Sequence, residues 1–259
     1  MAVAIRSQRE IELIRAAGQV VGRVLRRLSD EARAGVSTEY LARISDRMIE
    51  QAGAIALFKG VSNPQARFAF PSSICASINE EVVHGIPGPR VLQDGDIISI
   101  DCGAKLKSYC GDAAVTLMIG PVKPAVERLV AATSEMLEIA IERARTGAYW
   151  SEVAGAMQAH AEKAGFSVVR EYVGHGIGRH MHEDPKLPNF VNDDLRRNDL
   201  LLRKGMILAV EPMVNLGTYR VRVLADGWTV VTSDGAPAAH FEHTIAVTDG
   251  PAQVLTLPD

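Results

Sequence analysis

Four acidic residues stand within apolar, strand-like stretches of the sequence, at Asp101, Asp112, Glu211 and Glu242. Such side chains are almost never fully buried unless they are paired or bound to a metal. A histidine, His175, also stands between two glycines. Two divalent cations about 3.5–4 Å apart, bridged by carboxylates and bound at one end by an imidazole, would explain the whole set. A donor set of mostly oxygen with one nitrogen suits Mn, Fe(II), Co or Zn.

The first two acids lie on a predicted antiparallel hairpin. If Leu106 and Lys107 form a two-residue turn, Asp101 lies directly opposite Asp112, and their Cβ atoms are about 4.5–5.5 Å apart. Two carboxylates at this separation share either a proton or a cation. A register shift of one residue would put them on opposite faces of the sheet. No Asn-Gly or Asp-Gly marks the turn, so its position is weakly specified. The alternative is that the two acids are exposed on the hairpin.

Helices and strands must position these side chains. Ser7 and Glu10 form a capping-box pattern at the start of an amphipathic helix that runs through Leu28. A second helix begins at Ser37 or Thr38 and ends at Gly53. Further helices are predicted at 126–144 and 151–163, and a Gly/Pro-rich loop at 84–89. Strands are predicted at 72–79, 166–172, 206–213, 228–232 and 240–247.

The spacing of glycines indicates an internal repeat. Gly35 and Gly53 flank the second helix, and Gly147 and Gly165 flank the fourth helix with the same separation. This pattern predicts one supersecondary unit used twice, with halves at about 7–119 and 123–250 around a shared core. The prediction is a single domain, 1–259, whose site lies between the halves.

Composition excludes several classes of function. The chain has 259 residues, a formal charge of −3 and no block of basic residues, so neither nucleic acid nor a membrane surface is predicted as a partner. Its three cysteines have no metal-type spacing, which favours reduced thiols. The N-terminal residues show no signal sequence, and no apolar run reaches about 18 residues. These features predict a soluble, cytoplasmic protein.

Five motifs, in order along the whole chain, resemble those of type I methionine aminopeptidase: Asn79…His84-Gly-Ile-Pro, Ile100-Asp-Cys-Gly…Gly-Asp112, Gly-His175-Gly-Ile-Gly-Arg…His182-Glu-Asp-Pro, Glu211-Pro-Met-Val and Phe-Glu242-His-Thr-Ile. The resemblance implies an α+β pita-bread fold, with two pseudo-symmetric halves around a curved antiparallel sheet. It further implies a centre of two divalent metal ions, of which Asp112 and Glu242 are the bridging ligands. The full set of implied ligands is Asp101, Asp112, His175, Glu211 and Glu242.

The resemblance also implies metal-assisted hydrolysis that releases an N-terminal methionine. Glu211 would serve as general base and proton shuttle. His182 would donate to the developing oxyanion, and His84 would position the scissile amide. The methionine side chain would occupy an apolar slot lined by Phe70, Cys75 and Trp228.

Among the departures from the usual pattern of that family, two lie near the expected methionine pocket. Met181 precedes His182 where an aromatic residue is common, and Arg67 occupies a position often held by tyrosine. The expected substrates are peptides and nascent chains with N-terminal methionine. We expect a monomer, with transient ribosome contact through the catalytic domain as a further expectation.

Four alternatives stay open at the level of sequence. A proline-specific aminopeptidase of the same superfamily would carry a large additional N-terminal domain. A type II methionine enzyme would carry a long insertion between His182 and Glu211, which are 29 residues apart here. A binding protein that has lost catalysis would lack one or more metal ligands, and a weakly active accessory paralogue would keep them all.

Overall fold

The structure, a computed structural model, describes residues 3–259, so the first two residues of the predicted domain lie outside it. None of the helices in this range is long and apolar enough to cross a membrane. The helices are α1 Gln8–Glu31, α2 Thr38–Gln51, α3 Pro124–Arg143, α4 Trp150–Lys163 and α5 Asp193–Arg197.

The strands of the first half are β1 Ile55–Ala56, β2 Ile74–Ile78, β3 Glu81–Val83, β4 Ile97–Leu106 and β5 Tyr109–Met118. Those that follow α4 are β6 Ser167–Val168, β7 Gly174–Gly176, β8 Glu183–Leu187, β9 Ile207–Val210, β10 Met213–Asn215, β11 Val221–Val223, β12 Val230–Thr232, β13 Ala238–His240, β14 Glu242–Ala246 and β15 Gln253–Val254.

One large antiparallel sheet forms the centre of the molecule. Its strand order is β1-β4-β5-β14-β9-β7-β8, with β2 also paired to β4 and β15 also paired to β14. Two smaller sheets have the orders β13-β10-β6 and β11-β12-β3. Helices packed on a mainly antiparallel sheet make this the predicted α+β class.

Each pair of long helices covers its own apolar core. Residues of α1 and α2 pack with those of β2 and β4 in one cluster, and residues of α3 and α4 pack with β9, β10 and β14 in another. The capping box of Ser7 and Glu10 forms as predicted. The glycines of the predicted repeat have positive φ angles of 89°, 64°, 88° and 85°, which non-glycine residues adopt only at a cost. These features support the division into two halves, which stays a prediction.

The predicted hairpin turn is wrong by one residue, which shifts the pairing of the two strands by two residues. The turn consists of Lys107 and Ser108, both with positive φ, as a type I′ turn requires. Asp101 therefore pairs with Ala114, and Asp112 pairs with Gly103. The turn lies beyond Leu106 because that side chain packs against the core under α1 and α2. Side chains alternate between the two faces of a sheet, so a shift of two residues keeps both carboxylates on the same face. They are diagonal neighbours rather than directly opposite.

Two predicted strands are interrupted in the structure, and a third is reduced to two residues. The apolar run 206–213 is divided into β9 and β10, and Glu211 lies in the gap with Pro212, because proline has no N–H to give to a ladder. The run 240–247 is likewise divided at Phe241, and the predicted strand 166–172 is reduced to β6. Glu211 thus lies between strands rather than within one.

Two threonine hydroxyls lie at the boundary between the predicted halves, where β5 meets β14. Only Ala113 and Ala114 of β5 pair with β14 through the regular ladder. On one side of them, Thr244 Oγ1 accepts from the N–H of Asp112 at 3.0 Å and donates to its carbonyl oxygen at 2.8 Å. On the other side, Thr116 Oγ1 accepts from the N–H of His240 at 2.9 Å and donates to its carbonyl oxygen at 2.7 Å. These hydroxyls replace main-chain bonds on both sides of the short ladder.

Candidate metal centre and active-site cavity

Three side chains from three strands of the large sheet converge on one buried point. Asp112 comes from β5, His175 from β7 and Glu242 from β14. One ligand atom from each of the three lies within 4.8 Å of those of the other two, and all three residues are buried. In the large sheet β5 is adjacent to β14, and β9 alone separates β14 from β7, so the sheet brings these residues together despite their separation in sequence.

The two remaining predicted ligands border the same point. Glu211 Oε1 lies 3.5 Å from His175 Nε2, and the carboxyl group of Asp101 hydrogen-bonds to that of Asp112. All five side chains line one cavity of about 180 Å³. The structure therefore brings the whole predicted ligand set together, and the coordination itself stays a prediction.

The backbone around His175 fixes which ring nitrogen faces the cluster. His175 Nδ1 lies 2.9 Å from the carbonyl oxygen of Gly176, so that nitrogen is the donor and Nε2 offers its lone pair. A Cβ on Gly176 would lie 2.2 Å from the carbonyl oxygen of Asp184, so only glycine lets β7 approach this close. The pattern Gly-His-Gly thus has a structural cause.

Glu211 is held at its main chain by a residue that the sequence did not indicate. Asn189 Nδ2 donates to the carbonyl oxygen of Glu211 at 3.0 Å, and Asn189 is fully buried. Because Glu211 lies between β9 and β10, its carbonyl group has no ladder partner there, and the amide supplies one. The asparagine follows the His182-Glu-Asp-Pro motif by only a few residues, but nothing in its local pattern marks this role.

Burial dominates the electrostatics of the carboxylates. It raises the pKa of Asp101, Glu211 and Glu242 well above the ordinary range, and it raises that of Asp112 to about 7. Mutual repulsion adds to the effect: Asp112 raises the pKa of Asp101, of Glu211 and of Glu242. Without a cation, the cluster can be neutralised only by protons.

The donor set fits divalent cations. Three buried carboxylate oxygens, Asp101 Oδ1, Asp112 Oδ1 and Glu242 Oε1, have no hydrogen-bond partner among the described residues. Buried unpartnered oxygens cost free energy unless an ion or a proton satisfies them. Carboxylate oxygens with one imidazole nitrogen suit Mn, Fe(II), Co or Zn.

Two further histidines face the cavity beside the cluster. His182 lies with its ring centroid 4.4 Å from that of His175, edge to face, and His84 packs edge-on against Tyr172 at 5.5 Å. Desolvation lowers the pKa of His182, and desolvation with the nearby His182 lowers that of His84 to about 4. Both rings are therefore neutral at pH 7, and each can donate one hydrogen bond.

The opposite wall of the cavity is apolar. Phe70 and Trp228 meet edge to face, with ring centroids 5.2 Å apart, and Trp228 Nε1 donates to the carbonyl oxygen of Phe68 at 3.0 Å. Burial and the nearby acids raise the pKa of Cys75 well above the ordinary range, so this wall carries an uncharged thiol. The predicted substrate residues Phe70, Cys75 and Trp228 all line it, together with Phe58, Val61 and Met181.

Two of these lining residues escaped the sequence analysis, and one expected neighbour is elsewhere. Phe58 and Val61 lie in an irregular stretch with no periodic pattern, so no sequence signal marks them. Arg67 is exposed and does not line the cavity, whereas Met181 does. The departure at Met181 is thus the one that reaches the site.

Comparison with known proteins gives consistent matches. The model of metallopeptidase family M24 matches residues 12–249. The chain is 46% identical over 251 residues to methionine aminopeptidase 1 of Bacillus subtilis, covering 97% of this chain and 98% of that protein. It is 43% identical over 255 residues to a methionine aminopeptidase of Clostridium perfringens, covering 98% and 99%.

Solved structures agree with these sequence matches. A crystal structure of methionine aminopeptidase from Thermotoga maritima has a TM-score of 0.93 and 39% identity, covering 99% of this chain and 100% of that one. A prolidase from Pyrococcus furiosus has a TM-score of 0.76 at 18% identity, and 66% of it is covered. The likeness to the prolidase concerns the fold alone.

Proposed function

The chain belongs to metallopeptidase family M24 and, within it, to the methionine aminopeptidases, and from this membership we propose that it releases N-terminal methionine from peptides and nascent chains. The observation that carries the proposal is the composition of one cavity. A buried cluster of carboxylates and an imidazole forms one wall, and aromatic and thiol groups form the other. A metal-dependent exopeptidase for an apolar, sulfur-containing residue needs both.

We propose that Asp101, Asp112, His175, Glu211 and Glu242 would hold two divalent cations. When bound, such ions supply Lewis-acid activation of water and of the scissile carbonyl group. The unpartnered oxygens of Asp101, Asp112 and Glu242 support this assignment.

The protein's own groups handle the protons. Glu211 takes a proton from the attacking water and delivers it to the leaving amine. Its buried position supports this role, because a carboxylate with a raised pKa is a stronger base than an exposed one. Asn189 holds the main chain of Glu211 in place.

The neutral imidazoles stabilise the reacting amide. His182 donates a hydrogen bond to the carbonyl oxygen as negative charge develops on it, and His84 orients the scissile amide. A neutral imidazole can perform either task, because it carries one N–H donor, and the lowered pKa of each ring keeps it neutral at pH 7. Phe70, Cys75 and Trp228 hold the methionine side chain and exclude water from it.

The test is peptide hydrolysis by metal-stripped enzyme with Co, Mn, Fe(II) or Zn added back singly. We expect metal-dependent release of methionine from Met-Ala-Ser and no cleavage of Leu-Ala or Ala-Pro peptides. Cleavage of Ala-Pro would identify a proline-specific enzyme instead. Folded protein without turnover in any metal would favour a binding protein of the same fold.

Several expectations accompany the proposal. The candidate metals are Co, Mn, Fe(II) and Zn, and the hydrolysis assay ranks the activity that each of them supports. The cytoplasmic location, the monomeric state and transient ribosome contact stay predictions. Gel filtration and cosedimentation with ribosomes test the last two directly.

A further inference from the structure

The segment that precedes α1 is joined to an active-site loop by an ion pair with little exposure to solvent. Arg6 Nη2 lies 2.5 Å from Glu183 Oε2, and the two side chains are 13% and 17% exposed. The N–H of Arg6 donates to the carbonyl oxygen of Gly205 at 2.8 Å, which fixes the segment from the other side. Arg6 Nη1 also lies 3.6 Å from Glu10 Oε1 at the start of α1.

The second oxygen of Glu183 closes the loop 178–183 on itself. Glu183 Oε1 accepts from the N–H of Arg179 at 2.8 Å and from that of His180 at 3.1 Å. The loop is also tied to β5, because the N–H of Cys110 donates to the carbonyl oxygen of Gly178 at 2.8 Å. One carboxylate thus links the N-terminal segment with the conformation of the whole loop.

Gly178 makes room for this ion pair. A Cβ at this position would lie 2.2 Å from Arg6 Nη2 and 2.9 Å from Glu183 Oε1. Any side chain here would displace either the guanidinium or the carboxylate. The last glycine of Gly-His175-Gly-Ile-Gly therefore leaves space for the ion pair, whereas the other two glycines flank His175.

The loop carries two residues of the cavity wall and none of the proposed metal ligands. Met181 and His182 line the cavity, whereas the ligands lie on other segments. We propose that Arg6 and Glu183 are positioning residues, which hold His182 in the place from which it donates to the scissile carbonyl group. This inference rests on the proposed function, because it assumes the role of His182 in that reaction.

The physical reason is the cost of breaking a shielded ion pair. Removal of one partner leaves the other charge poorly solvated and unpaired, so the carboxylate turns toward water and releases its two amide donors. The loop then loses its fixed shape. Misplacement of a catalytic group by about 1 Å can cost roughly 100-fold in rate, while ligands on the strands stay in place.

The test compares Arg6→Met with the wild type. We expect kcat for Met-Ala-Ser to fall roughly 10- to 100-fold with metal affinity changed by less than about threefold. Hydrogen exchange at the amides of Arg179 and His180 should accelerate, while exchange in β9 stays unchanged. Arg6→Lys should restore part of kcat, because it keeps the charge but not the planar fork.

A double-variant cycle separates positioning from general stability. In a His182→Ala background, Arg6→Met should cause no further fall in kcat if it acts through His182. Arg43→Met is the matched control, since Arg43 forms an exposed pair with Glu39 on α2 and should leave kcat unchanged. Glu183→Gln is the second variant if Arg6→Met does not fold.

Three results would overturn the inference: unchanged kcat in Arg6→Met or Glu183→Gln, additive losses with His182→Ala, or unchanged exchange at the loop amides. The exchange measurement needs no catalysis. If the wild type releases no methionine, the proposed function fails, and so does the catalytic task of the ion pair. Accelerated hydrogen exchange in Arg6→Met would then show that the ion pair maintains the conformation of the loop and nothing more.

Discussion

Asp112→Asn should have opposite effects on activity and on the stability of the metal-free protein. The variant removes a proposed bridging ligand, so we expect turnover to be abolished. It also removes a charge from a cluster that has no cation in the stripped protein. An asparagine side chain fills the same space and can accept from the N–H of Ala113, as the carboxylate does.

The expected gain in the free energy of unfolding follows from the pKa of Asp112, which burial raises from its ordinary 3.8 to about 7. The difference of about 3.2, at about 1.36 kcal/mol per pKa unit, gives about 4 kcal/mol for the ionisation of Asp112 itself. Because the folded state binds the proton more tightly, the carboxylate costs nothing below pH 4 and its full amount above pH 7. The variant should therefore gain stability at pH 8 and little at pH 4.

Urea unfolding of stripped protein at both pH values measures the difference. We expect the unfolding midpoint of Asp112→Asn to exceed that of the wild type at pH 8 and to approach it at pH 4. Asp30→Asn, on the exposed face of α1, serves as the control and should change neither midpoint nor turnover. A variant less stable than the wild type at pH 8, or one with near-normal turnover, would refute the reasoning.

Three further changes test other parts of the site. Metal binding should release protons, more at pH 6 than at pH 8, because carboxylates with raised pKa values must ionise; calorimetry in buffers of different ionisation enthalpy counts them, and zero release at both pH values contradicts the cluster electrostatics. Trp228→Ala should raise KM for Met-Ala-Ser on the order of tenfold, because it removes the aromatic partner of Phe70; steady-state kinetics with an unchanged KM would exclude this wall as the methionine site. Thr244→Val should lower the free energy of unfolding by about 1–3 kcal/mol, because the N–H and carbonyl groups of Asp112 lose their shared partner; an unchanged urea midpoint would show that the hydroxyl contributes nothing.

Local signals in the sequence predicted much of this molecule. The capping box at Ser7 and the glycine after α2 mark helix ends through backbone chemistry that needs no tertiary context. The predicted pita-bread fold and the resemblance to methionine aminopeptidases are both confirmed. The four acids were found because a charge within an apolar stretch requires compensation wherever the stretch folds.

The errors arose where tertiary packing decides between local options. The hairpin turn had no strong signal, and the packing of Leu106 moved it by one residue. An apolar run hid the break at Glu211 and Pro212, although the proline could have indicated it. The contact of Asn189 with Glu211 joins positions 22 residues apart through the folded backbone, and no periodicity encodes such a contact.

The threonine-bridged boundary between β5 and β14 has a consequence for assembly. Asp101 and Asp112 belong to the predicted first half, whereas His175, Glu211 and Glu242 belong to the predicted second half, so neither half alone would hold the complete set of proposed ligands. Bound ions would link the predicted halves across this boundary, where only two residue pairs join β5 and β14 in the regular ladder. A chain cut at the exposed link 120–123 should thus behave as a split enzyme, whose two fragments reassemble far more tightly with metal than without it.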